Sequence, residues 1–73
     1  MEKESSYIGV YFDAAVIAKP WKAQLTVGSR QIFVGRYQTE YEAAFFRDLA
    51  AMREQGYRAK LNFASSPDVY KNI

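Results

Sequence analysis

This chain has no cysteine and no histidine, and it contains only two prolines among its 73 residues. Without cysteine it has no disulfide framework, no zinc finger and no thiol chemistry. Without histidine it lacks both the commonest general base and the commonest metal ligand. No apolar run approaches the roughly 20 residues that a membrane-spanning helix needs, and no signal peptide is visible.

Other catalytic features are missing as well. The sequence contains no Gly-rich phosphate loop and no recognisable nucleophile–base pair. A chain of this length is also too short to build a deep pocket around a substrate. We therefore expect a soluble intracellular protein that is not an enzyme. We expect it to hold no cofactor and no metal, to take no small-molecule substrate and to bind no membrane.

The residues that are present predict one small domain built around a β-hairpin. Hydrophobic residues make up 49% of the chain and aromatic residues 16%, which is enough for a single core. Apolar and polar residues alternate along Trp21–Val27, the pattern of a strand with one buried and one exposed face. Gly28 follows at a tight turn, and Gln31–Gly35 runs back as the second strand of the hairpin.

A helix is predicted directly after the hairpin. Thr39 and Glu42 have the spacing of a capping box, so the helix should begin at about Glu40. It should end at Gln55, because Gly56 is the natural residue after a helix end. On or beside its core-facing side we expect Ala43, Ala44, Phe46, Leu49, Ala50 and Arg53. On its solvated side we expect Glu40, Glu42 and Asp48.

The segments on either side of this hairpin and helix are less regular. Tyr7–Phe12 is aromatic and β-branched and reads as a first strand, while residues 1–6 are polar and should be flexible. Residues 14–18 are apolar although they lie in a loop, and we expect them to fold over the edge of the sheet rather than form an exposed tip. Residues 64–73 should form a mobile tail.

The order of these signals resembles the AP2/ERF family of DNA-binding domains over residues 7–63. The matching pieces are Tyr7-Ile8-Gly9-Val10, Trp21-Lys22-Ala23-Gln24-Leu25, Ile32-Phe33-Val34-Gly35, Thr39, Glu42-Ala43-Ala44, Asp48, Ala50-Ala51, Gly56, Ala59 and Leu61-Asn62-Phe63. The resemblance implies an α+β fold, a three-stranded antiparallel β-sheet packed against one C-terminal α-helix. It also implies that the sheet lies in the major groove of double-stranded DNA, as part of a transcription regulator in the nucleus.

The uncovered face of the sheet departs from the family pattern. Family members carry several arginines on this face, whereas this chain has Ile8, Tyr11, Thr26 and Gln31 at matching positions. None of these residues offers guanine the bidentate donor pair of an arginine, so a preference for GC-rich sites does not transfer. As base contacts we expect Tyr11, Gln24, Thr26, Gln31 and Phe33, and as phosphate contacts Lys19, Lys22, Arg30, Arg36 and Thr39.

The distribution of charge supports this choice of face. Tyr7–Arg36 carries four basic residues and one acidic residue, whereas Thr39–Gln55 carries two basic and four acidic residues. A polyanion should therefore meet the sheet and not the helix.

Two other functions remain open. A second hypothesis is that the domain has lost base readout and binds a protein instead, through the apolar 14–18 loop and through Tyr11 and Phe33. Alternatively, the same two aromatic residues would stack on the bases of a single-stranded nucleic acid. A preference for single strands over duplex would identify that third function.

Overall fold

Four antiparallel strands and one α-helix form the fold in the computed structural model, which describes residues 2–71. Strands β1 (Glu2–Glu4), β2 (Val10–Asp13), β3 (Trp21–Val27) and β4 (Arg30–Tyr37) lie side by side in that order. Helix α1 (Glu40–Gln55) packs across β2, β3 and β4. The predicted α+β class is confirmed, but the described sheet has four strands and not the expected three.

The additional strand, β1, lies in the segment that we expected to be flexible. It pairs with β2 alone, with Glu2 opposite Asp13 and Glu4 opposite Tyr11, and all three of its residues are exposed. An edge strand without a buried face needs no apolar residues, and charged side chains suit an unpaired edge. The sequence Glu-Lys-Glu therefore carries no hydrophobic alternation that predicts a strand. Met1 lies outside the described residues.

The hairpin and the helix agree with the sequence prediction. β3 and β4 are joined through Gly28, whose φ of +62° is easily reached by glycine. The hydroxyl of Thr39 accepts a hydrogen bond from the Glu42 amide at 3.1 Å and so caps the first turn of α1. The helix ends before Gly56, whose amide donates to the carbonyl of Met52.

The buried face of α1 differs from the predicted one. Ala43, Ala44, Ala50 and Ala51 are buried against the sheet, where their small side chains allow a close approach to Val10, Ala23 and Leu25. Phe46 and Arg53, which we expected on the core side, are exposed. Arg47 and Asp48 are buried in their place, so the expectation that Asp48 lies on a solvated face is wrong.

Asp48 is buried because four donors surround its carboxylate. Oδ1 accepts from Arg47 Nη1 and from Asn62 Nδ2, each at 3.1 Å. Oδ2 accepts from the Phe63 amide at 3.1 Å and from the Tyr70 hydroxyl at 2.6 Å. A buried carboxylate is tolerated only when its oxygens are hydrogen-bonded and its charge is balanced. This network fixes which side of α1 faces inward.

Asn62 also explains why the first predicted strand is shorter than expected. The strand begins at Val10 and not at Tyr7, because the Asn62 side chain hydrogen-bonds both the backbone amide and the backbone carbonyl of Ile8. Its Oδ1 accepts from the Ile8 amide at 2.6 Å, and its Nδ2 donates to the Ile8 carbonyl at 3.1 Å. Gly9 then turns the chain into β2 with a φ of +74°.

The C-terminal segment carries regular structure within the part expected to be a tail. Pro67–Tyr70 forms a 3₁₀ helix, and the Tyr70 ring stacks on Phe45 with centroids 5.9 Å apart. The hydrogen bond from Tyr70 to Asp48 holds this turn against α1. Residues 72–73 of the expected tail lie outside the described residues.

We expect Gly9→Ala to destabilise the domain by about 2–3 kcal/mol. A methyl group at this position would lie 2.4 Å from the Gln24 carbonyl oxygen, in addition to the strain of a positive φ. Gly28→Ala is the matched control, because Gly28 has a similar φ but open space around it. Urea unfolding should show a smaller loss for Gly28→Ala, and equal losses would show that the contact with Gln24 is unimportant.

Tyr70→Phe should lower stability at neutral pH by about 1.5 kcal/mol, since it removes a hydrogen bond to a charged group. Burial, followed by the hydrogen bond to Asp48, raises the pKa of Tyr70 above its ordinary value. A raised pKa in the folded state gives stability that is present at lower pH and lost as pH rises above about 10. The stability difference between wild type and variant should therefore shrink in alkaline unfolding experiments. A constant difference up to the highest pH would contradict this assignment.

Candidate nucleic-acid interface

Helix α1 covers one face of the sheet and leaves the opposite face, here called the outer face, uncovered. Strand pairing defines which residues share this face, because the side chains of directly opposed residues point to the same side. The outer face carries Glu2 and Glu4 from β1, Tyr11 and Asp13 from β2, Lys22, Gln24 and Thr26 from β3, and Gln31, Phe33 and Arg36 from β4.

Four of the five predicted base-contact residues form a compact group on the outer face. Thr26 lies opposite Gln31, and Gln24 lies opposite Phe33. Phe33 is 62% exposed although it is a large apolar residue, while Thr26 and Gln31 are exposed and Gln24 is half-buried. These four residues, here called the central patch, offer two carboxamides, a hydroxyl and an aromatic ring within two neighbouring strands.

Tyr11 contributes less than the sequence suggested. It is half-buried, and the ammonium group of Lys22 lies 5.6 Å from the centre of its ring. This is the geometry of a cation–π contact. The tyrosine ring is thus partly covered by a neighbouring side chain, and it is less accessible than Phe33.

A β-bulge in β4 determines the position of Arg36. Ala23 pairs with Gly35 and Gln24 pairs with Phe33, so that Val34 has no partner of its own on β3. Val34 packs on the core side. The bulge shifts the alternation by one residue, and Arg36 therefore joins Phe33 on the outer face opposite Lys22.

Two of the predicted phosphate contacts are already paired with carboxylates. Lys22 Nζ forms a salt bridge with Glu2, and only 16% of the Lys22 side chain is exposed. Arg36 Nη2 lies 3.6 Å from Asp13 Oδ2. Asp13 also accepts a hydrogen bond from the Ala15 amide at 3.1 Å, which fixes its carboxylate at the base of the loop.

The other three predicted phosphate contacts lie outside the central patch. Arg30 is exposed at the hairpin end of β4, and Lys19 is exposed in the loop before β3. Neither forms a salt bridge within residues 2–71. Thr39 is exposed, but its hydroxyl caps α1 and also donates to the Glu42 carboxylate at 3.1 Å.

The expectation of a basic sheet requires correction. Glu2 and Glu4 of β1 project onto the outer face beside Asp13, so this face carries three carboxylates and two cations. Neither glutamate was predicted to lie on this face, because both fall in the segment that was expected to be flexible. The only available signal was the period-two spacing of Glu2 and Glu4, which places both on one side of any strand that forms there.

A cavity of about 410 Å³ adjoins the central patch where the chain turns at Gly9 and β2 begins. Its lining includes Tyr11, Gln24, Thr26 and the buried Arg47. Arg47 donates through Nη1 to Asp48 and to the Lys60 carbonyl, while its buried Nε has no partner among the described residues. The outer face is therefore indented next to the central patch.

The apolar loop is exposed rather than folded over the sheet edge. The Asp13 amide donates to the Pro20 carbonyl at 2.8 Å and the Val16 amide to the Asp13 carbonyl at 3.1 Å, which closes the base of the loop. Ile17 at its tip is 92% exposed. A tight closed turn leaves this short loop too little length to reach the core.

Comparison of the chain with known protein families and with curated proteins finds no match. The resemblance to AP2/ERF domains stays a prediction from the sequence. The part of the chain that the structure describes contains no helix that is long and apolar enough to cross a lipid bilayer. Within the same part, no group of three or more acidic side chains is placed to hold a metal ion.

Proposed function

We propose that this domain binds double-stranded DNA with the outer face of its sheet in the major groove. The observation that carries the proposal is the central patch, in which Gln24, Thr26, Gln31 and Phe33 lie together on a face that no element within residues 2–71 covers. A β surface of two or three strands fits a major groove roughly 12 Å wide. The resemblance to AP2/ERF domains supports the same mode of binding and a role in transcription regulation in the nucleus.

Each residue of the central patch has a chemical role in this proposal. The carboxamides of Gln24 and Gln31 can each donate and accept a hydrogen bond at the major-groove edge of adenine. The Thr26 methyl group suits a thymine methyl, and Phe33 packs on sugar or base edges. The central patch contains no arginine, so we expect a site rich in A·T rather than G·C pairs.

Phosphate binding in this proposal depends first on Lys19 and Arg30, the two predicted phosphate-contact cations that have no carboxylate partner among the described residues. Lys19 lies in the loop before β3, whereas Arg30 lies at the hairpin end of β4 opposite the core-facing Val27. The Arg30 side chain therefore starts from the face that α1 covers and can meet a phosphate only beside the hairpin end of the sheet. Lys22 and Arg36 join them only when their salt bridges open. The Thr39 hydroxyl, beside the N-terminus of α1, is a further hydrogen-bond donor for phosphate.

Phe33→Ala should weaken binding to duplex DNA roughly tenfold, about 1.4 kcal/mol, because it removes the most exposed apolar contact of the central patch. Tyr57→Ala is the matched control, since Tyr57 is 93% exposed but lies after α1 and away from the outer face. Fluorescence anisotropy with labelled duplex at low salt measures both variants. Equal losses of duplex affinity for the two variants would count against DNA binding by the outer face.

The target sequence is tested by selection from a pool of random duplex DNA. We expect an A·T-containing motif to be enriched, and we expect Gln24→Ala or Gln31→Ala to relax the preference at one position each. Salt-sensitive retention without a motif would reduce the function to phosphate binding. Stronger retention of single strands than of duplex would favour base stacking on Phe33 and Tyr11 instead.

Protein binding is a second candidate function, and the 92% exposure of Ile17 specifically favours it. An exposed apolar tip on a loop that is closed at its base is a common feature of protein contact surfaces. In this function, the outer face would have lost base readout. The partner would contact the 14–18 loop and Phe33.

Substitution at the loop tip separates the two functions. If the domain is a protein-interaction module, Ile17→Ala should abolish retrieval of a partner from nuclear extract, while the double variant Lys22→Ala/Arg30→Ala should retrieve it normally. If the domain is a DNA reader, Ile17→Ala should bind duplex as wild type does, and the double variant should bind more weakly. A chain that fails to bind duplex even at low salt would favour protein binding.

A further inference from the structure

We propose that strand β1 competes with DNA for the outer face, because Glu2 forms a salt bridge with Lys22, the cation that a phosphate would otherwise contact. This inference rests on the proposed function and names a control built into the same site. Free and DNA-bound forms would then differ in the partner of Lys22, which is Glu2 in one and a backbone phosphate in the other.

The contacts of Lys22 support this competition. Its side chain crosses the ring of Tyr11 on β2 and reaches Glu2 on β1, two strands away from its own strand. Only 16% of the Lys22 side chain is exposed, compared with 37% of the Glu2 side chain. A phosphate that approaches the outer face therefore meets the carboxylate before it meets the ammonium group.

Strand β1 is attached in a way that allows it to leave. It consists of three exposed residues that pair with β2 alone, and α1 packs on the other three strands. The next residue, Ser5, is held by its amide at 2.9 Å from the Val10 carbonyl and by a hydrogen bond from its hydroxyl to Glu40. Displacement of β1 therefore removes no buried residue from the core and can stop at Ser5.

The second salt bridge of the outer face is built differently. Asp13 lies in β2, an interior strand of the sheet, and it also accepts a hydrogen bond from the Ala15 amide. This aspartate cannot move without opening the loop. We therefore expect DNA phosphate to displace the salt bridge between Glu2 and Lys22, and not the one between Asp13 and Arg36.

Glu2→Gln is the direct test, and Glu4→Gln is its matched control. Both substitutions remove one charge from the outer side of β1, but Glu4 makes no salt bridge within residues 2–71. We expect Glu2→Gln to raise the affinity for random duplex DNA about three- to tenfold at low salt. We also expect it to steepen the dependence of log affinity on log salt concentration by about 0.9, since one more cation releases its counterion. Glu4→Gln should give a smaller gain and no steeper slope.

Two further measurements separate local competition from a general charge effect. On a Lys22→Met background, Glu2→Gln should give no additional steepening of the salt slope. Without DNA, acylation of the Lys22 amine followed by mass spectrometry should be faster in Glu2→Gln than in wild type or Glu4→Gln. Equal affinity gains from Glu2→Gln and Glu4→Gln, or a steeper salt slope from Glu2→Gln that persists without Lys22, would overturn the inference.

Failure of the inference and failure of the proposed function give different results. If wild type binds duplex and Glu2→Gln binds no better, competition by β1 is wrong and the proposed function stands. If neither wild type nor any variant binds duplex at low salt, the proposed function is wrong and the inference fails with it. Both glutamates are exposed, so we expect each variant to keep the fold, and thermal unfolding of each variant checks this.

Discussion

The buried carboxylate of Asp48 is the constraint on which the rest of the structure depends. It accepts hydrogen bonds from α1, from the segment after α1 and from the C-terminal turn, so these parts of the chain must assemble together. A carboxylate without these donors would be strongly unfavourable inside the domain. Asn62 extends the network to Ile8 and so determines where β2 begins. The start of β2, which contributes Tyr11 and Asp13 to the outer face, therefore depends on a network centred on a buried residue of α1.

Local signals in the sequence were enough to predict the hairpin and the helix. The alternation in β3, the cap at Thr39 and the stop at Gly56 each depend on residues within a few positions of one another. The orientation of the helix was not predictable in this way. Asp48 was expected to face solvent, because its hydrogen-bond partners Asn62, Phe63 and Tyr70 lie 14 to 22 residues further along the chain. The Lys60 carbonyl that accepts from Arg47 is likewise 13 residues away. Strand β1 was missed for a related reason, since an exposed edge strand has no hydrophobic pattern.

In the candidate site, too, local sequence patterns predicted some features, whereas contacts between distant residues determined others. Gln24, Thr26 and Phe33 were assigned to one face from alternation alone, and the strand pairing brings them together. The pairing of Lys22 with Glu2 depends on a strand that the sequence did not reveal. The exposure of Ile17 was also unexpected. Hydrogen bonds at Asp13 close the base of its loop, so the tip cannot reach the core. Which residues face outward was therefore predictable, but which charges are free was not.

The bulge at Val34 makes the outer face of β4 depend on a spacing of three residues. Gln31 and Phe33 are separated by two positions, whereas Phe33 and Arg36 are separated by three and still point the same way. A protein engineer who transplants this face onto a regular hairpin would keep Gln31 and Phe33 in place but turn the guanidinium of Arg36 into the core. Any transferable form of the surface has to carry residues 33–36 as one unit, together with the strand opposite.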